Sequence, residues 1–221
     1  MRLPSTTSSY EAYTRYGRYV ARRLRRAGLE ALAKDAEKVT LAVRTSGRAW
    51  EDADDPIQDA LADRDSADDA LDLTAQTLRN SLAGQGVGSD RRAPYTQVFP
   101  QGVTYYLAAP LDEEETRYGE LRLRVEQHLT DQPEVRSAAL AGITTGIQDF
   151  TAATAALREA HAREAIAGTE ARTAIQSFIR QMEKIYGALL VEVGKASAER
   201  FFPKQRTGRP DTDSTPVPPP V

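Results

Sequence analysis

The sequence predicts an all-α protein: a six-helix bundle built from two related three-helix units, with a short β-hairpin in the connecting segment and a disordered proline-rich C-terminal tail. Three observations lead there. Apolar residues recur at alternating spacings of three and four over most of the 221 residues, which is the stripe of an amphipathic helix. Ala, Leu, Arg and Glu, all good helix formers, are abundant. The word Thr-Arg-Tyr-Gly stands at 14–17 and again at 116–119, and a similar order of helical patterns follows each copy.

The first helix places Tyr10, Tyr13, Gly17, Val20 and Leu24 on one face, with Ser8 or Ser9 to cap it and Gly28 to end it. A second run carries Ala36, Val39, Val43, Ser46, Trp50, Ala53, Ile57 and Ala60. Pro56 falls inside it, and of the two readings, a kink or a stop at Asp54 with a restart, we favour one kinked helix. The third uses Ala67, Leu71, Thr74, Leu78 and Leu82 and stops before Gly84. Beyond it the helical period is lost. Tyr95, Val98, Phe99, Val103, Tyr105, Tyr106 and Leu107 are β-formers around a Pro-Gln-Gly turn, which predicts a hairpin over 96–108 lying on the helices or pairing with another chain.

Helix resumes after Asp112 with an acidic first turn that suits the helix dipole, and its apolar face holds Tyr118, Leu121, Val125 and Leu129. A fifth run, Leu140, Ile143, Ile147, Phe150, Thr154, Leu157 and His161, is expected to turn at Gly168, and His161 to be partly buried. The sixth carries Ile175, Phe178, Ile179, Met182, Ile185, Leu189 and Val193. From Pro203 the chain holds six prolines and almost nothing to bury, the composition of a flexible or polyproline tail.

The domain reading is a first repeat at 8–83, a connector at 84–111, a second repeat at 112–197 and a tail at 203–221. Beyond the repeated tetrapeptide, Leu41–Gly47 (LAVRTSG) matches Leu140–Gly146 (LAGITTG) at four of seven letters, and Trp50 then falls opposite Phe150. The small residues predict close helix crossings, and Trp50 and Phe150 are expected as core anchors.

Charge is unevenly spread. Twenty-nine basic against thirty-two acidic residues leave a formal charge of -3, so the whole molecule is not an electrostatic binder of nucleic acid. Yet Arg15, Arg18, Arg22 and Arg25 fall on one face of the first helix, while Asp55, Asp59, Asp63 and Asp69 belong to an acidic stretch with only Arg64 as basic relief. These residues, with Tyr105 on the expected hairpin edge and Pro218 in the tail, form the candidate interaction surface.

Chemistry is poorly supplied. The chain has no cysteine, which removes disulfides, thiolate metal sites and thiol nucleophiles. Val125 and Arg158 stand three residues before His128 and His161, so neither histidine completes the Glu-x-x-His pair of a di-iron bundle. Phosphate-loop, zinc-peptidase and nucleophile-elbow motifs are absent. We expect no cofactor or metal, no membrane span and a cytoplasmic setting. The expected function is a non-enzymatic scaffold or adaptor acting through protein partners or self-association. The alternative is binding of nucleic acid or another polyanion through the arginine helix.

Overall fold

A computed structural model describes residues 1–5 and 7–204, so the expected tail, Pro218 included, lies outside the described residues apart from Pro203 and Lys204. Helix dominates and no strand occurs among the described residues. The elements are α1 (Tyr10–Arg26), α2 (Glu30–Asp52), α3 (Asp55–Ala83), the single turns α4 (Tyr95–Val98) and α5 (Thr104–Leu107), α6 (Glu114–His128), α7 (Pro133–Val193) and the short α8 (Lys195–Ala198). No described helix is long and apolar enough to cross a membrane.

Contacts group these helices into two compact units, Asp52–Ala165 and the pairing of Met1–Glu51 with the chain from Ile166 onward. The second pairing, unit 1, contains α1, α2 and the latter part of α7. Its core is formed by Tyr13, Val20, Leu24, Val43, Phe178 and Ile185, and each large apolar side chain so buried contributes about 1.5–3 kcal/mol. Tyr13 meets Phe178 edge to face at 5.5 Å. Gly28, at φ +76°, ends α1 in a left-handed turn that closes Gly28 N–H onto the Arg25 carbonyl and Leu29 N–H onto the Leu24 carbonyl. Gly17 is needed for another reason: a Cβ there would collide with the Thr40 hydroxyl and come 2.8 Å from the Phe178 ring.

Unit 2 contains α3, α4, α5, α6 and the first part of α7. Leu71, Leu78, Leu82, Phe99, Tyr106, Tyr118, Leu121 and Ile143 form its core. Gly142 and Gly146 bring α7 against α3, since a Cβ would lie 2.9 Å from Thr74 Oγ1 at the first and 2.6 Å from Leu71 Cδ2 at the second.

Several elements differ from the sequence reading. The hairpin expected over 96–108 is two helical turns, α4 and α5, joined through Gly102 at φ +80°. Tyr95, Val98 and Phe99, and again Val103, Tyr106 and Leu107, are spaced by three and four, and that period lets Val98, Phe99 and Tyr106 sink together into the unit 2 core. Burial outweighs β propensity there.

The kink expected at Pro56 is a break. α2 stops at Asp52 and α3 restarts at Asp55 with Pro56 in its first turn, where a missing N–H costs nothing. In contrast the expected turn at Gly168 is absent, and the fifth and sixth helices are one helix of 61 residues. A lone glycine costs a helix only about 1 kcal/mol relative to alanine. Gly168 is kept small by packing, since a Cβ would stand 3.1 Å from Trp50 Nε1. Trp50 itself is 46% exposed, a cover over Gly168 and not a core anchor, whereas Phe150 is buried. His161 is exposed and Ala160 takes the inward position.

Burial does not follow the letters of the repeated tetrapeptide. In α1 the buried stripe runs through Tyr13, Gly17, Val20 and Leu24; in α6 it runs through Glu114, Tyr118, Leu121 and Val125, at the same spacings. Gly17 therefore stands where Tyr118 does, and a Cβ on Gly119 would meet nothing within 4 Å.

Candidate interaction faces

In unit 1 the outer face of α1 and the neighbouring face of α2 bound a groove of about 540 Å³. Arg18, Arg22, Arg25 and Arg26 line it from α1, and Glu37 and Arg44 from α2. Thr40 and the exposed Leu41 give it a partly apolar lining, and the Thr40 hydroxyl is occupied by the Ala36 carbonyl at 2.6 Å. Arg25 pairs with Glu37 at 2.6 Å and with Glu30 at 3.7 Å. Among the described residues it is the one arginine of α1 in an ion pair, so Arg18, Arg22 and Arg26 keep their charge directed at solvent.

Arg15 does not join them. It borders a separate hollow with Tyr16, Tyr19 and Pro203. Arg44 is the member that sequence reading of α1 alone missed. Its signal is the spacing of Glu37, Thr40, Leu41 and Arg44, which places all four on one face of α2.

In unit 2, α3 presents Asp55, Asp59, Asp63 and Asp69 as exposed carboxylates. Asp65 takes the Arg64 guanidinium at 2.8 Å, and none of the other four has a cation within ion-pair distance among the described residues. Asp63 and Asp149 rim a hollow of about 470 Å³ whose remaining lining is Ser66, Ala67, Ala70 and the alanines of α7. Tyr105 stands on α5, not on a strand edge. Its ring is covered by the Arg117 guanidinium at 4.3 Å, and its carbonyl accepts a hydrogen bond from Arg117 Nη1 at 2.6 Å.

A third feature lies inside unit 2. Glu114, in the acidic first turn of α6, is 1% exposed, and its Oε1 has no hydrogen-bond partner among the described residues. Burial, then the nearby carboxylates of Asp68 and Asp72, push its carboxyl up to about 8, while Arg117 opposes the shift. The shift favours the protonated form of the carboxyl. Burial also raises Asp72, and the Tyr118 hydroxyl, which donates to Asp72 Oδ1 at 2.7 Å, restrains that rise. No group of three or more His, Cys, Asp or Glu among the described residues has the geometry to hold a metal ion. The signal for Glu114 was its place at the head of the stripe that continues through Tyr118, Leu121 and Val125.

No protein-family model matches the chain, and neither a curated protein nor a solved structure matches it.

Proposed function

We infer that the protein is a non-enzymatic helical scaffold or adaptor that works through protein–protein contact or self-assembly. The observation that carries this reading is the exposure of two faces of opposite charge, the arginine groove of unit 1 and the aspartate face of α3 in unit 2. Exposed charge of one sign steers a partner of the other sign and fixes its register. A cytoplasmic setting is proposed with this reading.

The test is cross-linking in lysate with the full chain as bait, followed by mass spectrometry, beside Arg18→Glu/Arg22→Glu and Asp59→Lys/Asp63→Lys baits. Specific proteins held by the native chain and lost with either variant are expected. Recovery of the same proteins by all three baits would remove the charged faces from the account.

One observation favours a second reading: five guanidiniums line one groove, and arginine forks bind phosphate as well as carboxylate. Binding of random RNA at low salt that is lost in Arg18→Glu/Arg22→Glu would replace protein docking by polyanion docking.

The ancestry proposed with the scaffold is a duplication of a three-helix unit, residues 8–83 and 112–197. Gly47 and Gly146, both buried, support it at an offset of 99, and the shared stripe of α1 and α6 supports it at 101, a drift that small loop insertions absorb.

A further inference from the structure

Both charged helices carry rows of like charge without an ion-pair partner among the described residues, and the helix dipole favours only the end members, Arg26 and Asp55. Arg18, Arg22 and Arg26 stand at successive spacings of four on α1, and Asp55, Asp59 and Asp63 at the same spacings on α3. Like charges four apart on a helix are close neighbours and destabilise it. A surface that presents the opposite charge removes both penalties together.

We propose that the occupant of the unit 1 arginine groove is the aspartate ridge of α3 from a second copy of the same chain, in a head-to-tail contact. This deepens the scaffold reading and rests on it. Arg18 to Arg26 along α1 and Asp55 to Asp63 along α3 each span about 12 Å, with one charge per helical turn on each, so the two rows register. Aspartate is short and arginine long, so the guanidinium forks reach the carboxylates while the helix backbones stay apart. Leu41, 62% exposed beside the groove, supplies apolar area to the contact.

The groove's chemistry favours this occupant over nucleic acid. Among the described residues its lining holds no aromatic ring on which a base could stack, while its guanidinium forks match a row of carboxylates. Every copy brings one groove and one ridge, so the stoichiometry closes without another component. Such a contact is heterologous, and it propagates until a ring closes or a filament forms.

The experiment uses the purified full chain in sedimentation velocity at ~20 mM and ~500 mM salt, where screening lengths differ several-fold. Association at low salt, weakened about tenfold or more at high salt, is expected. Arg18→Glu/Arg22→Glu and Asp59→Lys/Asp63→Lys each remain monomeric, and circular dichroism checks that they stay folded, since all four residues are exposed. Mixing the two variants restores association, because each supplies the face that the other has lost. A monomer at low salt, or association indifferent to both variants, overturns the proposal. Should the native chain stay monomeric yet capture a specific protein in the cross-linking experiment, the self-docking fails and the scaffold reading survives.

Discussion

The helices α1 and α6 bury the same pattern of positions and solve it with different chemistry. In α1 the second buried position is Gly17, and the helix comes close enough for Thr40 and Phe178 to fill the space a side chain would take. In α6 that position is Tyr118, whose hydroxyl must find a partner and finds Asp72. The first position repeats the contrast: Tyr13 is fully buried in unit 1 and bonds the Ser5 carbonyl at 3.0 Å, while unit 2 buries the carboxyl of Glu114. One stripe thus gives a core limited by steric fit and another whose stability depends on protons. Periodicity says which positions face inward; the residue at each decides which physical variable controls the unit.

The largest way to break the comparison is steric. Gly17→Ala adds a methyl where Thr40 and Phe178 already stand, and we expect a loss of about 1–3 kcal/mol in urea unfolding of the full chain. An unchanged midpoint would show that α1 can move away from α2 without cost.

The next effect is in pH. The folded Glu114 binds its proton up to about pH 8 while the unfolded one releases it near the ordinary carboxyl value, so the folded state holds more protons between those limits. Its contribution is fully present below the unfolded value and is lost as pH rises toward 8. Native stability should therefore fall by up to about 1.4 kcal/mol per pH unit across that window, and the raised Asp72 adds to the fall at its lower end. In Glu114→Gln, whose amide has no proton to release, this slope should flatten. A variant with the native slope would place the titration elsewhere.

The smallest effect sharpens the comparison. Gly119→Ala adds its methyl to open space in the interior of α6, where alanine is favoured over glycine by about 0.5–1 kcal/mol, so this variant should be slightly more stable. The same substitution at the last letter of the same four-letter word then has opposite signs in the two helices, as read from their thermal midpoints.

Legibility in the sequence followed the range of the interaction. The core positions Tyr13, Val20, Leu24, Leu71, Leu78, Tyr118, Leu121, Ile143 and Phe178 were readable because one helix repeats its own environment every three or four residues. So was the polarity of charge between α1 and α3. The helical turns at 95–98 and 104–107 are hard to read from sequence because a three-four spacing only one turn long carries less signal than the β propensity of the same residues. Glu114 was hidden by its acidic neighbours, and Arg44 by its place on another helix.

By itself, then, the sequence determined where the long helices form, which stripe most of them bury and where charge of each sign gathers, since these depend on residues within a turn or two of one another. Tertiary structure decided that Gly28 ends a helix while Gly168 lies inside one, that Pro56 opens a helix and does not bend one, and that Arg44 completes the α1 groove. It also decided that Glu114 is buried beside Asp68 and Asp72. Each of these depends on which distant surface arrives to cover the residue, and no local period encodes that.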